Sequence, residues 1–340
     1  MDFNTHPGIV IWETTQACAL ACVHCRAKAR PWRDPGELST AEGFDLIRQT
    51  AESGAPLMVL TGGDPMERPD IAALVRRGGE MSLRMGLSPS ATPRVTRESL
   101  VEIKGAGLHR LALSLDSHIE GRHDAFRQVP GSYQRTLEIA RDARESGLSL
   151  QIGTTVTRLN VSEIDDMARV VGDLGAVLWS VFFVVPTGRA DPKLMISERE
   201  CEEALARIHG IAREFPFAVK TTEAPHYRRV VAQATGRRPV AGINDAKGFA
   251  FVSHRGDVYP SGFLPIKAGN VRERPLAEIY RESPLFKSLR DPGNLKGRCG
   301  SCEFKEACGG SRARAYAVSG DPLAEDPLCA YIPRSILQEA

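Results

Sequence analysis

Three thiols in the stretch Cys18-Ala-Leu-Ala-Cys22-Val-His-Cys25 follow closely on the apolar run Gly8-Ile-Val-Ile-Trp12. A loop can aim sulfurs at these spacings toward one centre, whereas a stiff strand would send alternate side chains to opposite faces. The chain therefore has to build a buried strand that ends in a loop able to hold a metal centre. Structural zinc takes four protein ligands, and a four-iron cluster is commonly held by four cysteines. With no fourth cysteine close by, a cluster here keeps one iron open to another ligand. A zinc knuckle completed from elsewhere, or a set of buried thiols, are the alternatives that the motif leaves.

Downstream, strand and helix signals alternate. Ser39-Thr-Ala-Glu42 reads as a capping box opening a helix with Phe44, Leu46, Ile47 and Ala51 on its apolar face. Leu57–Leu60 reads as a second buried strand, and Thr61-Gly-Gly-Asp64-Pro65 turns out of it. Further strands are expected near 86–90, 110–116, 148–156 and 178–185, each followed by a helix, the last with the capping box Ser197-Glu-Arg-Glu200. Repeated strand-then-helix units specify parallel strands joined by right-handed crossovers. Six such units are too few to close an eight-fold barrel, so the fold class is α/β with an open, curved (β/α)6 sheet. Its site belongs at the C-terminal strand ends. There Gly62 and Gly63 let backbone approach a ligand, while Ser90, Ser114, Asp116, Thr154 and Thr155 supply hydroxyls and a carboxylate.

A net charge of +2 argues against bulk electrostatic binding to nucleic acid. No apolar run approaches the ~18 residues of a spanning helix, and Met1–His6 lacks the features of a signal peptide. A cytoplasmic protein without a membrane partner is expected, and there clustered thiols are metal ligands more readily than disulfides. Of eight cysteines, three lie in the opening motif, four at 299, 302, 308 and 329, and Cys201 reads as a small core residue on a helix. Residues 224–244 carry Arg228, Arg229, Arg237 and Arg238 and no acid, either a solvated helix face or a clamp for carboxylates.

Past residue 215 the pattern changes. Residues 217–224 read as one more strand, with Thr222, Glu223, His226 and Tyr227 near its end as candidates to meet substrate, and 249–259 reads as a hairpin turning at Arg255-Gly256. Cys299, Cys302, Cys308 and Cys329 supply four thiols, enough for a zinc ribbon or a saturated cluster.

CxxxCxxC after a first strand resembles the signature of the radical S-adenosylmethionine (SAM) superfamily, whose members have a partial (β/α)6 barrel. The resemblance implies that Cys18, Cys22 and Cys25 hold three irons of a [4Fe–4S] cluster and SAM chelates the fourth. Reduction of the cluster would then cleave SAM to a 5′-deoxyadenosyl radical. By the same resemblance His24 lies near the adenine, Gly62-Gly63-Asp64 replaces the family's GGE at the SAM amino group, and Ser114 meets the ribose. Arg127, from the segment His123-Asp-Ala-Phe-Arg127 in the loop after the fourth strand, would pair with the SAM carboxylate or a substrate. Ser90, Asp116 and Thr154 complete the SAM-binding candidates. The implied electron donor is a ferredoxin- or flavodoxin-type protein.

The C-terminal Cx2Cx5C resembles SPASM and twitch domains, and Gly309-Gly-Ser-Arg312 with Gly320-Asp-Pro resembles the tail of alternative heme, heme d1 and mycofactocin maturases. Full SPASM domains hold two auxiliary clusters. Here Ser261 stands where a cysteine is expected after Pro260, and Ser311 and Arg312 fill a later ligand position. One auxiliary [4Fe–4S] cluster on Cys299, Cys302, Cys308 and Cys329 is therefore expected, in a domain 216–340 that follows a radical SAM barrel 1–215. The implied reaction is hydrogen abstraction leading to oxidative decarboxylation of a tetrapyrrole side chain, or modification of a ribosomally made peptide. Without an N-terminal extension for leader recognition, a peptide would need a separate recognition protein. A zinc-binding interaction protein is the rival reading from another class.

Overall fold

Strand alternation sorts two kinds of side chain onto two faces of one sheet. In the computed structural model, which describes residues 2–339, seven strands lie side by side in chain order. They are Ile9–Glu13 (β1), Leu57–Thr61 (β2), Arg84–Leu87 (β3), Arg110–Ser114 (β4), Leu150–Val156 (β5), Leu178–Phe183 (β6) and Ala218–Thr222 (β7). Every neighbouring pair is parallel. Val10, Trp12, Met58, Leu60, Leu111, Leu113, Leu150, Ile152, Trp179 and Val181 face one way and are buried. Helices Thr40–Glu52, Ile71–Glu80, Arg97–Gly105, Ser132–Glu145, Ile164–Asp173 and Glu198–Glu214 cover that face with their apolar stripes. Both expected capping boxes form, at Ser39 with Glu42 and at Ser197 with Glu200. Cys201 is buried in the last of these helices.

The sheet does not stop at six strands. Besides β7, Phe249–Val252 (β8) pairs in parallel with β1 on the opposite edge and turns at Gly256 into the antiparallel Asp257–Tyr259 (β9), followed by Gly269–Asn270 (β10). The hairpin was legible locally; its docking on β1, some 240 residues away in the chain, has no local signal. The segment after β4 also differs from expectation. Residues Glu120–Arg127 form a helix instead of a loop, with only His123 and Phe126 buried, too few apolar positions to betray it by periodicity. No helix among the described residues is long and apolar enough to cross a membrane.

Candidate active site

The cysteine loop hangs on the ends of β1 and β2. The Thr14 amide and hydroxyl both donate to the Thr61 carbonyl, the Gly63 amide donates to Thr15 O at 2.7 Å, and the Asp64 amide to Ala17 O at 2.6 Å. This contact is why two glycines follow β2: a Cβ on Gly62 would meet Thr15 O at 2.5 Å, and one on Gly63 would strike the Ala17 carbonyl. The turn thus serves the loop's backbone first, and any ligand approach is built on that contact. Arg189, just past β6, clamps the far side of the loop, donating from Nε to Cys22 O and from Nη1 to Ala29 O, both at 3.0 Å. Arg26, beside Cys25, pairs with the buried Glu13 at the end of β1 and lies over the Phe251 ring, which ties the loop to the hairpin. No motif marks either arginine in the sequence.

Each thiol has an N–H donor, as sulfurs that carry negative charge on a metal need. Leu20 N is 3.3 Å from Cys18 Sγ, Ala29 N 3.5 Å from Cys25 Sγ, and Arg127 Nη1 3.7 Å from Cys22 Sγ. Burial pushes the Cys18 thiol up to about 11, so a cationic centre bound to the sulfur is what would hold it as thiolate there. The donor set therefore fits a cluster with one open iron.

Around the loop, the predicted contacts divide. His24 stacks on Phe126 at 4.3 Å with its Nδ1 buried and unpartnered, and burial drops its pKa to about 4, so a neutral ring faces the site. Ser90 touches Cys18 Sγ at 3.4 Å and donates to Gly63 O. Ser114 ends β4 on the sheet face away from the helices.

Four others, Asp64, Asp116, Arg127 and Thr154, are engaged within the protein. Asp64 accepts from Met66 N, Ser90 N and Thr92 Oγ1, so it braces the loop after β3 and its raised pKa follows from burial. Arg127 is paired with Asp116, whose other oxygen accepts from Thr155 N, so its charge is met within the protein while Nη1 reaches Cys22. Thr154 faces the helices: its hydroxyl donates to Leu115 O and accepts from Trp179 Nε1, while Thr155 takes the other face. Neither reading of the arginine stretch, a solvated face or a carboxylate clamp, describes Arg228 and Arg229, which are engaged within the protein. Arg229 pairs with Glu202, and Arg228 donates to the carbonyls of Ala307 and Ile243.

The second cysteine group forms its own cradle. Cys299, Cys302, Cys308 and Cys329 line one cleft with His226, Arg229 and Tyr331. Arg312 Nη2 approaches Cys299 Sγ at 3.7 Å, while Nη1 donates to the carbonyls of Pro322 and Ala324 and Nε to that of Gly310. Four soft thiol donors on one cleft supply the ligand set of a saturated four-iron cluster.

Ser261 and Ser311 meet on a single carboxylate. Both hydroxyls donate to Glu223, buried at the end of β7. Burial, reinforced by the neighbouring Asp245, raises the Glu223 pKa, so the folded chain retains a proton there that the unfolded chain sheds above its ordinary value of 4.5. Between those two pKa values the folded state binds more protons, and stability must fall as pH rises through the window. Glu223→Gln keeps an acceptor but cannot ionise. We expect the melting temperature of the natural chain to fall between about pH 5 and about pH 8 more steeply than that of the variant; equal slopes in thermal unfolding would contradict this.

A loop of three thiols at the C-terminal ends of parallel strands, with a second thiol cradle beyond, is an arrangement suited to iron–sulfur clusters. Residues 12–171 match the family model of the radical SAM superfamily, and residues 245–303 match that of the SPASM iron–sulfur cluster-binding domain. The chain is 39% identical to the AdoMet-dependent heme synthase of Methanosarcina barkeri, covering 96% of this chain and 97% of that protein. It is 28% identical to the pre-heme d1 synthase of Dinoroseobacter shibae, covering 96% and 87%. Among solved structures, Streptococcus suis SuiB bound to the precursor peptide SuiA has a TM-score of 0.78 over 96% of this chain and 76% of that one. At 16% identity this is a likeness of fold. The chain belongs to the radical SAM superfamily and carries a SPASM domain; it is an enzyme that binds iron–sulfur clusters and SAM, and the zinc-only reading is set aside.

Proposed function

We propose that this enzyme oxidatively decarboxylates propionate side chains of a tetrapyrrole. The observation that carries the reading is the 39% identity to an AdoMet-dependent heme synthase along nearly the whole of both chains. Bound at a reduced first cluster, SAM would supply a radical able to take a hydrogen atom from the propionate carbon next to the ring; the propionate would then lose carbon dioxide and give one electron to an acceptor, leaving a vinyl group. The chain's own residues set the stage for it. Cys18, Cys22 and Cys25 hold the first cluster, and Arg127 and Arg189 fix their loop. Gly62, Gly63, Ser90, Ser114 and the neutral His24 ring stand where SAM would lie. Cys299, Cys302, Cys308 and Cys329 hold one auxiliary cluster, saturated and so suited to accepting the electron.

We place the radical chemistry in residues 1–215 and the auxiliary cluster in 216–340, although one sheet runs through both. We also place the reaction in the cytoplasm, with a ferredoxin- or flavodoxin-type donor, in keeping with eight cysteines that are all free of disulfides. The test is anaerobic turnover of the reconstituted protein with SAM, dithionite and iron coproporphyrin III. Vinyl-bearing products are expected by mass spectrometry. Unchanged porphyrin alongside 5′-deoxyadenosine would move the substrate to another class, a peptide first.

A further inference from the structure

The parallel register draws a row straight across the sheet. Ser114 on β4 pairs with Gly153 on β5, Gly153 with Ser180 on β6, and Ser180 with Lys220 on β7. Paired residues share a face, and the chain neighbours Leu113, Ile152, Trp179 and Val181 are all buried beneath helices. Lys220 therefore projects from the same face as the SAM candidates. At about 4.8 Å per strand, its Cα lies roughly 14 Å from that of Ser114 along the sheet. Only Gly153 and Ser180, with the smallest side chains on this face, stand between them.

A lysine guarding a sheet edge normally stands in open water. Lys220 is exposed as well, yet enough of the protein lies around it that burial, with Arg228 close by, lowers its pKa. No carboxylate offsets it, and Arg228 is held by backbone carbonyls, not by an acid. A second observation points the same way. Thr222, two residues on and on the same face, has a buried hydroxyl without a partner. Its register partner Phe182 adds an aromatic wall facing Phe263. An exposed ammonium with no carboxylate beside it and a buried hydroxyl without a partner, two residues apart on one face, are complementary to an oxyanion.

We propose that Lys220, assisted by Thr222, anchors a carboxylate of the substrate on the far side of the concave face from SAM. Naming that carboxylate a tetrapyrrole propionate rests on the function proposed above. The anchor would also hold the substrate near its electron acceptor, since Arg228 beside Lys220 grips the carbonyl of Ala307, the residue before Cys308.

The experiment measures binding of iron coproporphyrin III and of its tetramethyl ester to anaerobically reconstituted protein by absorbance titration. The natural enzyme should favour the free acid. Lys220→Met should weaken binding of the acid by about tenfold or more and leave the ester little changed, while Lys220→Arg keeps most of the preference. Iron content and cluster absorbance of the variants show that they are folded. If Lys220→Met binds the acid as tightly as the natural enzyme, or the natural enzyme binds acid and ester alike, the anchor is overturned. If the acid preference depends on Lys220 but no vinyl product forms, the decarboxylation reading fails and the anchor stands.

Discussion

The variant Cys18→Ala/Cys22→Ala/Cys25→Ala is expected to retain about four of about eight iron per chain and to form no 5′-deoxyadenosine from SAM and dithionite. The loop that bears these thiols is held by backbone bonds to Thr61, Gly63 and Asp64 and by Arg189, so removing three sulfurs deletes the cluster's ligands without deleting the loop's supports. The auxiliary thiols sit on a separate cradle closed by Arg229, Arg312 and Tyr331. Iron and sulfide analysis after anaerobic reconstitution checks both halves. A value near twelve in the natural chain would mean a further cluster, and the meeting of Ser261 and Ser311 on Glu223 would then not mark a lost ligand set. Loss of all iron in the triple variant would mean that the auxiliary site depends on the first.

Arg314→Leu should be the most damaging single substitution outside the clusters. Arg314 is fully buried; its nitrogens donate to the carbonyls of Phe183, Val184 and Glu223 at the ends of β6 and β7, and Nη1 pairs with Asp326 at 3.1 Å. Asp326 in turn accepts from Ser311 N and faces His226 at 3.2 Å. Although burial opposes it, Arg314 and His226 hold the Asp326 carboxyl well below the usual carboxylate range. Removing the guanidinium leaves a buried carboxylate short of its main counter-charge, at a cost of about 3–5 kcal/mol. The break falls three residues from Cys329, so the melting temperature and the auxiliary iron should drop together. Adding Asp326→Asn should recover part of the loss, because the uncompensated charge is then gone. A single variant as stable as the natural chain would show that the pair does not bind the cluster domain to the sheet.

Much of this architecture is written in local patterns. The apolar runs behind β1 to β6 and the capping boxes at Ser39 and Ser197 each report on a few neighbouring residues; the strands form within a few residues of where they are expected, and both boxes form. What escaped the sequence depends on geometry between distant segments. Thr154 and Thr155 are adjacent and chemically alike, and only the strand's register decides which of them faces the helices. The acid-free arginine stretch looked unpaired because the partner of Arg229 is Glu202, on the preceding long helix. Arg189 and Lys220 are single residues with no accompanying motif, and each gains meaning only from what the fold sets beside it.

The most direct measurement follows the hydrogen atom itself. Iron coproporphyrin III carrying deuterium on the propionate carbons next to the ring is turned over anaerobically with SAM and reductant, and the 5′-deoxyadenosine is isolated for mass spectrometry. Propionate decarboxylation by this enzyme predicts deuterium in the 5′-deoxyadenosine, in step with the vinyl groups formed. Unlabelled 5′-deoxyadenosine together with intact propionates would contradict it.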